Sequence, residues 1–164
     1  MIKDAVISEC LNYRYALSRK WEEKNDRTIV FCMLNPSTAD ASLDDPTIRR
    51  CIGFAKEWQY DQLVVINLYS LRTPNPKDLW PHPNPIGEDN DNCIQMMAKR
   101  YENIVCAWGA NAKFDRVVQV AAILENSGAN LMCLGTTKNG SPKHPLYIKS
   151  TQLLMPWNIK MLKK

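Results

Sequence analysis

Short apolar runs alternate with longer amphipathic stretches along this chain. Residues 29–34 (IVFCML), 63–68 (LVVINL), 104–108 (IVCAW) and 130–134 (NLMCL) are largely apolar and short. Runs of this kind, with β-branched residues and apolar character on both faces, predict strands of a buried parallel sheet. The first run stops at Asn35-Pro36, and a residue before proline favours extended geometry.

Helical spacing fills the intervals. In 46–58, Ile48, Cys51, Ile52, Ala55 and Trp58 recur at three- and four-residue steps, and Pro46 suits a first helical turn. Residues 88–101 carry Ile94, Met97, Ala98 and Tyr101 behind an acidic start at Glu88, Asp89 and Asp91, which favours the helix dipole. Residues 111–126 carry Phe114, Val117, Val118, Ala121, Ala122 and Leu124, with Gly128 as a stop signal. The segment 11–21 alternates only partly and predicts an edge strand or hairpin. The sum is β-α-β-α-β-α-β: an α/β domain of three layers, α/β/α, with a mainly parallel central sheet. A length of 164 residues fits a single domain, with a core over about 10–157 and a basic tail at 158–164 that includes Lys160, Lys163 and Lys164.

Ligands of such sheets bind beyond the carboxyl ends of the strands. Four polar segments follow the strands here. After the first strand come Asn35, Pro36, Ser37, Thr38 and Asp40, which supply an amide, two hydroxyls and a carboxylate. These groups serve either a ligand or an Asx-type turn that leads into a helix cap. Asn67 ends the second strand, where an Asn either caps a turn or faces a ligand, and Arg72 follows in a proline-bounded loop. Arg72 there is either a surface cation or a ligand for phosphate or carboxylate. Trp108-Gly109-Ala110 ends the third strand, and a glycine at that point admits a close approach by ligand or backbone. After the fourth strand, Lys138 and Lys143 frame His144, with Pro145 and Tyr147 beyond. Flanking positive charge is expected to lower the His144 pKa and keep the imidazole neutral. His82, in WPHPNP, reads as loop structure.

Composition narrows the chemistry. Charged residues are 23% and hydrophobic residues 45%, the balance of a soluble globule. No apolar run approaches the ~18 residues that a membrane span needs, and the first ten residues carry no secretory signal, so a cytoplasmic location is expected. The net charge of +4 and pI of 8.7 permit nucleic-acid binding without demanding it. None of the six cysteines stands in a CxxC pair, and Cys32, Cys106 and Cys133 fall inside apolar runs as core thiols. Two histidines exclude a multi-histidine metal site, and no metal, cluster or other cofactor is expected.

The order of these segments resembles a family of phage and bacterial proteins grouped as a domain of unknown function. The residues that carry the resemblance are MLNPSTAD at 33–40, DPTIRRC at 45–51, NLYSLRTP at 67–74, WG at 108–109 and GTTKNGSPKHPLY at 135–147. More distantly, the layout is similar to the uracil-DNA glycosylase superfamily. Its motif after the first core strand corresponds to Leu34-Asn35-Pro36-Ser37. Its strand-end Asn and Arg-Pro loop correspond to Asn67, Arg72 and Pro74. Its His-Pro motif corresponds to His144-Pro145.

That resemblance implies a uracil-DNA-glycosylase-like fold and roles for single residues. Asn35 positions the attacking water, Asn67 reads a flipped base and His144 stabilises the departing base. Ser37, Thr38, Asp40, Arg72, Gly109 and Tyr147 belong to the substrate site, and Arg49, Arg50, Lys138 and Lys143 contact phosphates. Of the four cysteine positions of the superfamily's iron–sulfur branch, at most two are filled, by Cys93 and Cys10, which argues against a cluster. The expectation is a DNA-base-directed N-glycosidic hydrolase that acts on a modified or damaged base, with DNA or a nucleotide as partner. The first motif carries no acid, and this favours an alternative: a module that binds a nucleotide or modified base without cleaving it. A third expectation is an enzyme of another class acting on a free nucleotide or small molecule.

Overall fold

The structure, a computed structural model, describes residues 1–163. Lys164 of the expected basic tail lies outside the described residues. Strands β1 (Ile2–Ile7), β2 (Arg14–Lys20), β3 (Thr28–Met33), β4 (Gln62–Asn67), β5 (Asn103–Cys106), β6 (Asn130–Cys133) and β7 (Met155–Pro156) form one seven-stranded sheet in the order β1-β2-β4-β3-β5-β6-β7. Helices α1 (Pro46–Glu57), α2 (Asn90–Arg100) and α3 (Phe114–Asn126) connect the central strands.

The four apolar runs become β3, β4, β5 and β6, and these pair in parallel at the centre. The whole sheet, however, is mixed rather than mainly parallel, because β1, β2 and β7 pair antiparallel. For the pair β1 and β2 the cause is connection length. Only residues 8–13 join β1 to β2, whereas a parallel crossover needs about a dozen residues or more. Segment 11–21 does supply a hairpin strand. It is not at the edge: β2 is buried between β1 and β4, and the exposed β1 takes the outer position.

Alternate residues of β3 divide between two hydrophobic clusters, as strand geometry requires. Ile29, Phe31 and Met33 join Ile48, Cys51, Ile52, Phe54 and Ala55 of α1. Val30 and Cys32 join Ile94 and Ala98 of α2 and Val117, Val120 and Leu124 of α3. Each Val, Leu, Ile, Phe or Met among them contributes about 1.5–3 kcal/mol when fully buried. Cys32, Cys106 and Cys133 stand in register across β3, β5 and β6, and burial pushes the Cys32 thiol up to about 12.

Helix starts follow capping chemistry. Asp45 caps α1, its Oδ1 accepting the Ile48 N–H at 2.9 Å, and Pro46 takes the first turn. α2 and α3 begin at Asn90 and Phe114, inside the expected ranges, because the residues before them form turns and loops. The last described residues are hydrogen-bonded to the loop that follows β6. Trp157 is buried and donates through Nε1 to the Gly140 carbonyl at 3.0 Å, and the Lys163 N–H donates to the Asn139 carbonyl at 2.8 Å. No helix among the described residues is long and apolar enough to cross a membrane.

Candidate functional site

Past the carboxyl ends of β3, β4 and β5 the chain forms a cleft of about 700 Å³, closed on one side by the first turn of α1 and on another by the loop at 137–148. Asn35, Ser37, Asn67, Gly109, Lys143, His144 and Tyr147 all line it. Four distant stretches of sequence thus meet in one cavity, because parallel strands place all their carboxyl ends on one edge.

Asn67 forms the floor. It ends β4, is 1% exposed, and neither its Oδ1 nor its Nδ2 has a hydrogen-bond partner among the described residues. A buried polar group without a partner costs about 1–3 kcal/mol, so this amide is held at a cost to the fold. It offers one acceptor and two donors to whatever enters.

Asn35 is anchored. Its Nδ2 donates to the carbonyls of Pro36 at 3.0 Å and Thr73 at 2.9 Å, so both amide hydrogens are used and Oδ1 is the atom left for a ligand or water.

His144 is half-buried, and its Nδ1 accepts the Leu146 N–H at 3.2 Å at the head of the short turn Pro145–Tyr147. Burial lowers its pKa, while the negative charge of Asp45 opposes the shift. The expected direction therefore appears with a different cause, since desolvation and not the flanking lysines keeps the ring neutral. With Nδ1 accepting, the neutral ring carries its proton on Nε2 and is a donor there. Gly109 adopts a left-handed φ of +76°, and a Cβ added to it would lie 4.0 Å from the His144 Cβ. Its N–H donates to the Pro142 carbonyl at 2.8 Å, which draws the third strand's exit against the histidine loop. Tyr147 stands at the mouth, 87% exposed, with its ring 6.5 Å from that of His144.

The other expected residues do not line the cleft. Thr38 is exposed, and Asp40 uses its carboxylate within its own loop, accepting the N–H groups of Ser42 at 2.9 Å and Leu43 at 2.7 Å. Those two bonds hold its pKa below the usual value. Arg72 donates to the Leu11 carbonyl at 3.0 Å, Arg49 to the Asp44 carbonyl at 3.2 Å, and Arg50 to the Ile148 carbonyl while lying over the Phe54 ring. Lys138 is exposed away from the cleft, and Lys143 is the expected phosphate ligand that lies on it.

Further residues enter unannounced. Arg14 lines the cleft at 2% exposure, with Nε unpartnered and its terminal nitrogen donating to the Ala39 carbonyl at 2.9 Å. Asp45 lines it too, a buried carboxylate that the sequence reading included only in the DPTIRRC stretch. The Trp108 indole N–H is buried without a partner, its ring edge-on to Trp157 at 5.1 Å. Among the described residues no group of His, Cys, Asp and Glu side chains could hold a metal ion.

No curated protein and no solved structure matches the chain. A family model does match, over residues 14–146, a span that begins at Arg14 and takes in all the cleft residues except Tyr147 and Ile148. The chain therefore belongs to the family described as "Protein of unknown function (DUF1643)".

Proposed function

We propose that the cleft is a nucleobase pocket, and that the protein is a glycosylase-like N-glycosidic hydrolase acting on a modified or damaged base, borne by DNA or by a nucleotide. The observation that carries this reading is the free amide of Asn67, buried on the floor of the cavity that His144 also lines. An amide with donors and acceptor unspent matches a base edge, which presents both in one plane.

The chemistry assigns each group a step. Asn67 holds the base edge. Asn35 Oδ1 accepts a hydrogen bond from a water and turns that water's lone pair toward the anomeric carbon. As the carbon–nitrogen bond breaks, the electron pair leaves with the base, and the Nε2–H of His144 donates to the charge that develops there. The water's oxygen becomes the new sugar hydroxyl, and its proton balances the base anion. The chain's arrangement, with α1 in one hydrophobic cluster and α2 and α3 in the other, supports a three-layer, uracil-DNA-glycosylase-like reading of the fold. Six free cysteines, five of them buried, fit a reducing cytoplasm.

One observation favours binding without cleavage. The one carboxylate lining the cleft among the described residues, Asp45, already accepts backbone N–H groups from Ile48 and Ala39 and serves as a helix cap.

The test is base release, followed by mass spectrometry, from nucleotides and oligonucleotides carrying a panel of modified bases. Release that disappears in both Asn67→Ala and His144→Ala is the expected result. A ligand that binds and returns unchanged selects the binding module. Neither release nor binding across the panel overturns the base-pocket reading.

A further inference from the structure

Three arginines of this chain are buried: Arg14, Arg19 and Arg116, at 2%, 0% and 4% exposure. A guanidinium stays charged inside a protein, and a buried charge without a counter-charge is costly. Two of the three are paired. Arg19 meets Asp44 at 2.7 Å and Arg116 meets Asp91 at 2.7 Å. Arg14 is the exception. Among the described residues no carboxylate lies within ion-pairing distance of it, and its Nε donates to nothing. It is also the one of the three that lines the cleft.

Its position is fixed by the backbone. The Arg14 N–H donates to the Ser70 carbonyl at 2.9 Å, which holds the start of β2 against the loop that leaves β4 just after Asn67. One terminal nitrogen is tied to Ala39, so the side chain cannot swing out to solvent without breaking that bond. Burial lowers the guanidinium pKa to about 10, with Arg72 and Arg19 pressing the same way and Asp45 and Asp40 opposing, so the group remains a cation at neutral pH. Among the described residues the charged side chains lining the cleft are Arg14, Lys143 and Asp45, two cations against one anion, beside a neutral His144. An anion is the ligand that this balance lacks.

We propose that the cleft takes a nucleotide with a terminal phosphate, and that Arg14 receives that phosphate while Asn67 reads the attached base. The inference rests on the base-pocket reading of Asn67 and narrows its substrate. Arg14 and Asn67 are both nearly inaccessible, on the cavity's inner wall. A phosphodiester would have to thread two chain ends past them, whereas a terminal phosphate enters by one path. A guanidinium meets phosphate oxygens with directional N–H donors, and such charge-assisted bonds are the strong ones.

Titration calorimetry compares nucleosides, their 5′-monophosphates, the same bases inside oligonucleotides, and inorganic phosphate, on wild type, Arg14→Met and Arg14→Lys. The expected result is tighter binding of a monophosphate than of its nucleoside by on the order of tenfold or more. That gain disappears in Arg14→Met and returns in part in Arg14→Lys. If Arg14→Met does not fold, the comparison on wild type decides alone. Equal affinity for nucleoside and monophosphate overturns the phosphate site and leaves the base pocket standing. Binding confined to oligonucleotides overturns it in favour of a diester. No binding of any base-containing probe overturns both readings, even where inorganic phosphate binds.

Discussion

The Nδ1 of His144 accepts the backbone N–H of Leu146 at 3.2 Å, and this one bond sets the ring's tautomer. Protonation would turn Nδ1 into a donor facing a donor. Burial pushes the same way, lowering the pKa of His144. The folded state therefore resists a proton that the unfolded chain accepts near the ordinary value of about 6.5. Stability is full above that value and falls as pH drops through it toward the folded pKa, since the unfolded state then binds more protons. Nuclear magnetic resonance titration of the ring protons, with His82→Asn to separate the two histidines, is expected to place His144 below the ordinary histidine value. His144→Asn should flatten that part of the stability profile.

Asn67 carries a fold cost that can be removed. Asn67→Leu places an apolar side chain where an unpartnered amide now sits, beside Val65 and Met33 at the cleft. Thermal unfolding should show a gain of up to about 1–3 kcal/mol, and ligand binding should be lost. A stability loss instead would mean that the amide is satisfied in solution.

The two glycines flanking the histidine loop should respond differently. Gly109→Ala meets nothing closer than 4.0 Å and bears only the left-handed φ of +76°, a cost of about 1–2 kcal/mol. At Gly140 an added Cβ would collide with the Met161 carbonyl. Gly140→Ala should therefore destabilise more, and release the chain's last residues to proteolysis.

Arg50 and Lys143 separate a positioning role from a charge role. Arg50 holds the Ile148 carbonyl and lies over Phe54, so Arg50→Ala should weaken ligand binding while leaving its salt dependence unchanged. Lys143→Ala, at the cleft itself, should lower the salt slope of binding to a phosphate-bearing ligand by roughly one. A fall in salt slope in Arg50→Ala would place a phosphate on Arg50 instead.

The thiols should react in two classes. Cys10 is exposed and its pKa is lowered, first through the Ser8 hydroxyl, whereas the other five cysteines are buried. A disulfide reagent should modify one thiol in the native protein and the rest only on unfolding.

The central strands were legible because burial on both faces leaves a local mark: Ile29 to Leu34 and Leu63 to Ile66 are apolar without interruption. Asn67 was legible for the same reason, as an amide that stops such a run. Arg14 was not. It sits in a segment whose alternation is broken, and its value comes from Ser70 and Ala39, which lie far along the chain. The antiparallel places of β1 and β7 were hidden likewise, since pairing partners leave no trace in a strand's own residues. Arg49, Arg50 and Arg72 show the converse. Their charge was visible, but not the backbone carbonyls that occupy them.

The cleft draws Arg14 from near the beginning of the chain, Asn67 from its middle and His144 from near its end. No fragment shorter than residues 14–144 contains the three. Contacts of such wide sequence separation form late in folding, because loop closure must come first. Occupancy of the cleft is therefore a report that the entire chain is assembled. A bound ligand should raise hydrogen-exchange protection across the central strands together, by mass action on the whole native state.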